Sequence, residues 1–228
     1  MLPHGYRHII WDWNGTLLDD VDFIIAVMNE LLRRRGLPLL DRPRYHRVFD
    51  FPVRDYYGRL GLDVATFDGL SVEFITGYDH GRWECRLHLA ADALLRAVQE
   101  AGLTQSILSA YRQETLAEMV SHFGLSQRFI RLTGLDNIQA HGKLELGRKW
   151  LGELGLPPSA VVLIGDTLHD CDVATALGID CLLVSHGHHP AERLHGSGRP
   201  VLPDLRAVAD RLGLSVPAEV PPPVEAAG

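Results

Sequence analysis

A chain of 228 residues with 46% hydrophobic side chains has enough apolar surface for a substantial core, and its formal net charge of −7 leaves no general basic field. That balance argues against nucleic acid as a partner, and no apolar run is long enough to span a bilayer. Three cysteines (Cys85, Cys171, Cys181) lack metal-ligand spacing and cannot all pair, and Met1 to Gly5 lacks the apolar core of a signal peptide, so a reducing, cytoplasmic setting is expected.

In chain order, the apolar run Ile9, Ile10, Trp11 ends at a carboxylate, Asp12, and a Gly15-Thr16 turn follows. This reads as a buried parallel strand delivering an acid to the carboxyl edge of a sheet, where open α/β folds place their ligands. Val21, Ile24, Ile25, Met28, Leu31 and Leu32 then recur at helical spacing up to Gly36. From Leu37 to about Leu89 the pattern breaks into short, aromatic-rich helical pieces with no buried strand, which reads as a helical insertion. Strand-like runs return at Gln105–Ser109, Phe129–Leu132, Ala160–Ile164 and Cys181–Val184. Helical patterns at Ala91–Ala101, Gln113–Phe123, Leu144–Leu154, Asp172–Leu177 and Leu205–Leu212 alternate with or follow them. The expected fold class is α/β: a parallel sheet core with crossover helices over 1–19 and 90–213, an all-helical insertion over 20–89, and a disordered Pro/Ala-rich tail over 214–228.

Three motifs fall where the strands end. Ser109 closes the second core strand, Lys143 opens the helix after the third, and Gly165-Asp166 with Asp170 follows the fourth. All such ends of a parallel sheet share one edge, so these groups can converge with Asp12, as phosphoryl transfer requires.

Asp12-Trp13-Asn14-Gly15-Thr16, Ser109, Lys143 and Gly165-Asp166 with Asp170, in that order, resemble the motif set of the haloacid dehalogenase superfamily, in its phosphatase branch. The members most similar are small-molecule phosphatases of the phosphoglycolate phosphatase type. The resemblance implies a Rossmann-like parallel sheet core with an all-helical cap, residues 20–89, inserted between the first two motifs, and a Mg²⁺-dependent hydrolysis of a small phosphorylated metabolite. It implies Asp12 as the nucleophile, Ser109 and the amide of Ala110 as phosphate-binding groups, and Lys143 as the cation that neutralises developing charge. The metal would be held by Asp12, the backbone carbonyl of Asn14 and Asp166, with Asp170 steadying that shell.

Asn14 departs from the pattern. The family's second Asp is the general acid and base, and a carboxamide cannot exchange a proton near neutral pH, a loss of roughly 10²- to 10⁴-fold in rate. Four readings stand: a slow phosphatase, a substrate with a good leaving group such as an acyl phosphate, a non-catalytic phosphate-binding or regulatory module, or a deliberate change. Deamidation of Asn14-Gly15 would restore the acid.

Two further stretches carry a functional and a plain reading each. His186-Gly187-His188-His189 is either a polar loop on the active edge or a metal-binding cluster. Arg42, Arg44, His46, Arg47 and Arg54, interleaved with Phe51, Tyr56 and Tyr57, are either a solvated helix face or a cap surface. In the second case Arg44 or Arg54 would grip another anionic group of the substrate. Monomer and homodimer are both compatible with the sequence.

Overall fold

A computed structural model describes residues 5–135 and 142–217 of the chain. It opens with strand β1 (His8–Trp11), a two-residue strand β2 (Leu18–Asp19) and helix α1 (Val21–Arg34). Helices α2 (Arg42–Val48), α3 (Val53–Arg59) and α4 (Phe67–Gly81) and a second two-residue strand, β3 (Arg86–Leu87), come next. The remainder alternates: α5 (Ala91–Glu100), β4 (Thr104–Arg112), α6 (Gln113–His122), β5 (Arg131–Leu135), α7 (Lys143–Leu154), β6 (Val161–Gly165), α8 (Leu168–Leu177) and β7 (Asp180–Val184). It closes with α9 (Ala191–Leu194), β8 (Val201–Leu202) and α10 (Leu205–Leu212).

Six strands form one parallel sheet in the order β5-β4-β1-β6-β7-β8. β1 lies between β4 and β6, with His8 opposite Thr104 on one side and Val161 on the other. All four of its residues are buried, as a strand covered by helices on both faces must be. The polar member, His8, is accommodated because its ring nitrogens meet Thr104 Oγ1 at 2.7 Å and Ser106 Oγ at 2.8 Å.

The segment between β2 and β3 packs around an apolar cluster of its own. α1 contributes Val21, Ile25, Met28, Leu31 and Leu32, and Tyr45, Phe49, Tyr56, Tyr57, Phe67 and Leu70 complete it. Burial of each large side chain contributes about 1.5–3 kcal/mol, which is what holds these short helices as a unit. Where the chain leaves and re-enters the sheet layer, β2 and β3 pair antiparallel, Leu18 opposite Leu87. The expected strandless insertion therefore ends in a short ribbon, too brief to leave a periodic trace in the sequence.

Other boundaries moved for identifiable reasons. β4 runs on past Ser109 to Arg112, and its register with β5 shifts between Leu108 and Arg112, a bulge of the kind that re-aims side chains. β5 begins two residues later than the apolar pair Phe129-Ile130 suggests, and Ile130 is 54% exposed. α8 starts four residues earlier than its apolar pattern, because Thr167 and Asp170 form a capping box over a polar first turn. Leu214 is buried in the core and Val216 packs on it, so the expected tail begins as part of the fold; 218–228 lie outside the described residues. Among the described residues, no helix is long and apolar enough to cross a membrane.

Candidate active site

The carboxyl edge of the sheet collects the candidate groups. Immediately after β1 the amide of Asp12 still donates to Ile164 O of β6 at 2.8 Å, so the backbone is fixed where its side chain leaves the sheet. Lys143, the first residue of α7, donates from Nζ to Asp12 Oδ1 and to Asp170 Oδ1, both at 2.6 Å. The other oxygen of Asp170 accepts from the amide of Thr167 at 3.0 Å and from its hydroxyl at 2.7 Å. Both of its oxygens are thus committed to holding the lysine and the loop. Asp166, following β6, accepts from Thr16 Oγ1 at 2.8 Å and from the amide of His188 at 2.7 Å. Ligand-capable oxygens of Asp12, Asp166 and Asp170 lie within 4.8 Å of one another, and all three residues are buried.

So many acids in so little water are short of positive charge. Burial pushes Asp12 up to about 7, the adjacent Lys143 opposing the rise and Asp170 and Asp166 adding to it. Burial and the charge of Asp170 push Asp166 up to about 8. Burial alone would raise Asp170 as well, but the charge and hydrogen bond of Lys143 hold it below the usual carboxylate range. For Lys143 burial works downward and is outweighed by Asp12 and Asp170, which keep the ammonium protonated. A hard divalent cation fits this cluster, since the donors are all oxygens and a second positive charge would let Asp12 and Asp166 ionise together. Gly15 makes the close approach possible: its φ is +72°, and a Cβ there would lie 2.3 Å from Asp166 Oδ2.

Asn14 is held by a network that sequence reasoning did not anticipate. Its Nδ2 donates to Asp20 Oδ2 at 2.7 Å and to the Tyr78 hydroxyl at 3.0 Å, and Tyr78 donates to the same carboxylate oxygen at 2.7 Å. The other oxygen of Asp20 accepts from the amide of Gly15 at 3.0 Å. Both amide hydrogens of Asn14 are therefore consumed within the wall of the site. Asp20 had a sequence signal, an acid at the head of a helix, but one that reads as a cap; Tyr78 had none.

The histidine loop after β7 forms part of the same wall. His188 hydrogen-bonds Tyr45 OH through Nδ1 at 2.9 Å, the ring of His186 stacks on His88 at 3.6 Å, and Nδ1 of His189 accepts from the amide of Leu168 at 3.1 Å. Among the described residues the one metal-compatible group consists of the three aspartates, without histidine.

A cavity opens above Asp12. Asn14, Ser109, Ala110 and Lys143 line it with Asp12 on the sheet side, and Phe49, Phe51, Tyr56 and Phe74 line it from the helical segment. Ser109 is buried within the bulge of β4 and accepts from the amide of Tyr111 at 3.1 Å. Arg44 and Arg54 do not belong to this cavity, contrary to the cap-surface expectation. Arg44 donates to the carbonyls of Pro38 and Leu39 at 2.7 and 2.8 Å; Arg54 donates to Val64 O at 2.7 Å and sits over the Phe67 ring. Each satisfies backbone carbonyls on the outside of the insertion, where a long cation is readily solvated.

Comparison with known proteins agrees with this geometry. Residues 9–184 match the family described as haloacid dehalogenase-like hydrolase. The chain belongs to that family. It is 26% identical over 204 residues to N-acetylmuramic acid 6-phosphate phosphatase of Pseudomonas aeruginosa, covering 87% of this chain and 90% of the relative. It is 25% identical over 186 residues to the tyrosine-protein kinase PtkA of Mycobacterium tuberculosis, covering 81% of this chain but 64% of that protein, so the match spans less than two thirds of PtkA. A haloacid dehalogenase-like hydrolase from Streptococcus pneumoniae has the same fold, with a TM-score of 0.78 at 19% identity and coverage of 91% and 99% of the two chains.

Proposed function

We propose that this family member is a Mg²⁺-dependent phosphatase of a small phosphorylated metabolite, acting through an aspartyl phosphate on Asp12. The observation that carries this reading is the buried pairing of Asp12 with Lys143 on the floor of a cavity lined by Ser109 and Ala110. Asp12 would attack phosphorus, the Ser109 hydroxyl and the Ala110 amide would donate to phosphoryl oxygens, and Lys143 would neutralise charge as the ester bond breaks. Mg²⁺ would be held by Asp12, the Asn14 carbonyl and Asp166, and would supply the positive charge that lets an anionic nucleophile meet an anionic phosphate. Asp170 keeps Lys143 and the Thr167 turn in place. Residues 20–89 act as the cap that closes the cavity against water.

Asn14 also favours a second reading, a phosphate-binding or regulatory module without turnover, because neither its amide nor its neighbours replace the missing acid directly. One comparison separates the two: phosphate release from a metabolite-phosphate panel with Mg²⁺ by the wild type, Asp12→Ala and Asn14→Asp. Turnover lost in Asp12→Ala supports the phosphatase; an inert wild type rescued by Asn14→Asp supports the module.

A further inference from the structure

The cavity and the amide at position 14 restrict the leaving group together. Its upper wall is built of rings and aliphatic chains, Phe49, Phe51, Tyr56, Phe74 and Tyr111 with Ile24 among them. Besides Lys143, which serves Asp12 and Asp170, the described lining holds one further permanent cation, Arg112. That guanidinium is engaged by Asp79 Oδ2 at 3.8 Å and Glu114 Oε2 at 3.3 Å. A second carboxylate or phosphate on the substrate would therefore find a cation already shared with two acids and, beyond it, only neutral donors, the unpartnered hydroxyls of Tyr56, Ser71 and Tyr111 and the His169 ring that burial keeps uncharged, which do not offset the desolvation of a full charge. An uncharged aromatic body is what such walls accommodate.

The chemistry at the other end of the cavity agrees. Asn14 has no acidic proton, and both of its N–H groups are committed to Asp20 and Tyr78. An alkoxide, whose conjugate acid is about as weak an acid as water, needs a donor as it departs. A phenolate, at about 10, leaves far more readily without one.

Resting on the phosphatase reading above, we propose that the substrate is an aryl phosphate, the phosphate monoester of an uncharged phenol. An Asp12 oxygen forms the bond to phosphorus while the bond from phosphorus to the aryl oxygen breaks; the phenolate leaves with the electron pair and takes its proton from solvent. Water then attacks phosphorus, the bond to Asp12 breaks, the water proton passes to solvent, and inorganic phosphate is released.

The test uses the full chain with Mg²⁺ and four probes: phenyl phosphate, cyclohexyl phosphate of nearly equal size, phosphoglycolate as a carboxylated alkyl phosphate, and acetyl phosphate. The expected kcat/KM for phenyl phosphate exceeds that for cyclohexyl phosphate by about 10²-fold or more, and Asn14→Asp narrows the gap by raising the cyclohexyl rate. Equal values for the two esters, or a preference for phosphoglycolate, overturn the proposal and leave the phosphatase reading standing. No phosphate release from any probe, acetyl phosphate included, overturns both.

Discussion

Replacing Lys143 by Met would keep the side chain's length and remove the ammonium that contacts Asp12 and Asp170. Asp12 and Asp170 each lie 2.6 Å from Nζ, so both lose their compensation at once. Removing one partner of a buried pair typically costs ~3–5 kcal/mol. Part is recovered as the acids take up protons, at roughly 1.4 kcal/mol for each unit their affinity rises. Asp12, already near 7, is the acid positioned to do so. A net loss of about 3 kcal/mol at neutral pH follows, a fall of roughly 6–12 °C in Tm for a chain of this size. Urea and thermal denaturation in chelator, at pH 7 and at pH 5, would measure it. At pH 5 Asp12 is largely neutral and Asp170, without the lysine that holds its affinity for protons down, takes one up at less cost, so the loss should shrink. A loss under about 1 kcal/mol at pH 7, or the same loss at both values, would refute the charge-compensation argument.

Two other outcomes are expected. Burial holds His8 down to about 4, against about 6.5 when unfolded, so between those values the unfolded chain binds a proton that the folded chain refuses. Stability should fall by on the order of 2–3 kcal/mol as pH drops through that window, and His8→Gln should flatten the acid limb of a stability profile; an unchanged slope would exclude His8 as its source. Gly15→Ala would force a left-handed backbone on alanine and drive its Cβ into Asp166, so stability should fall by ~1–3 kcal/mol; on the proposed Mg²⁺ site, adding Mg²⁺ should raise the Tm of the wild type and that gain should disappear in the variant. Retention of that gain would show that Asp166 tolerates displacement.

The carboxyl edge of the sheet was legible because its signals are local: Ile9 to Trp11 read as a buried strand, and the acid after it had to emerge at the sheet's carboxyl end. Lys143 and Asp166 were readable for the same reason, each lying next to an element boundary. What escaped depends on contacts distant in sequence. Tyr78 reaches Asn14 across 64 residues and His188 meets Tyr45 across 143, and neither carries a local pattern. Arg44 and Arg54 misled because density of charge in sequence says nothing about direction; the basic side chains turned outward to backbone carbonyls and left the inner wall to the aromatic residues interleaved with them. The bulge near Ser109 was hidden because its register shift arises only against β5, a strand distant in sequence.

The central claim is that Asp12 accepts the phosphoryl group. It is tested most directly by acid-quenching the enzyme during turnover of radiolabelled phenyl phosphate or acetyl phosphate with Mg²⁺, then assaying the protein for bound label. The account predicts a hydroxylamine-labile label on the peptide containing Asp12, absent from Asp12→Asn. Turnover without label, or label that persists in Asp12→Asn, would contradict it.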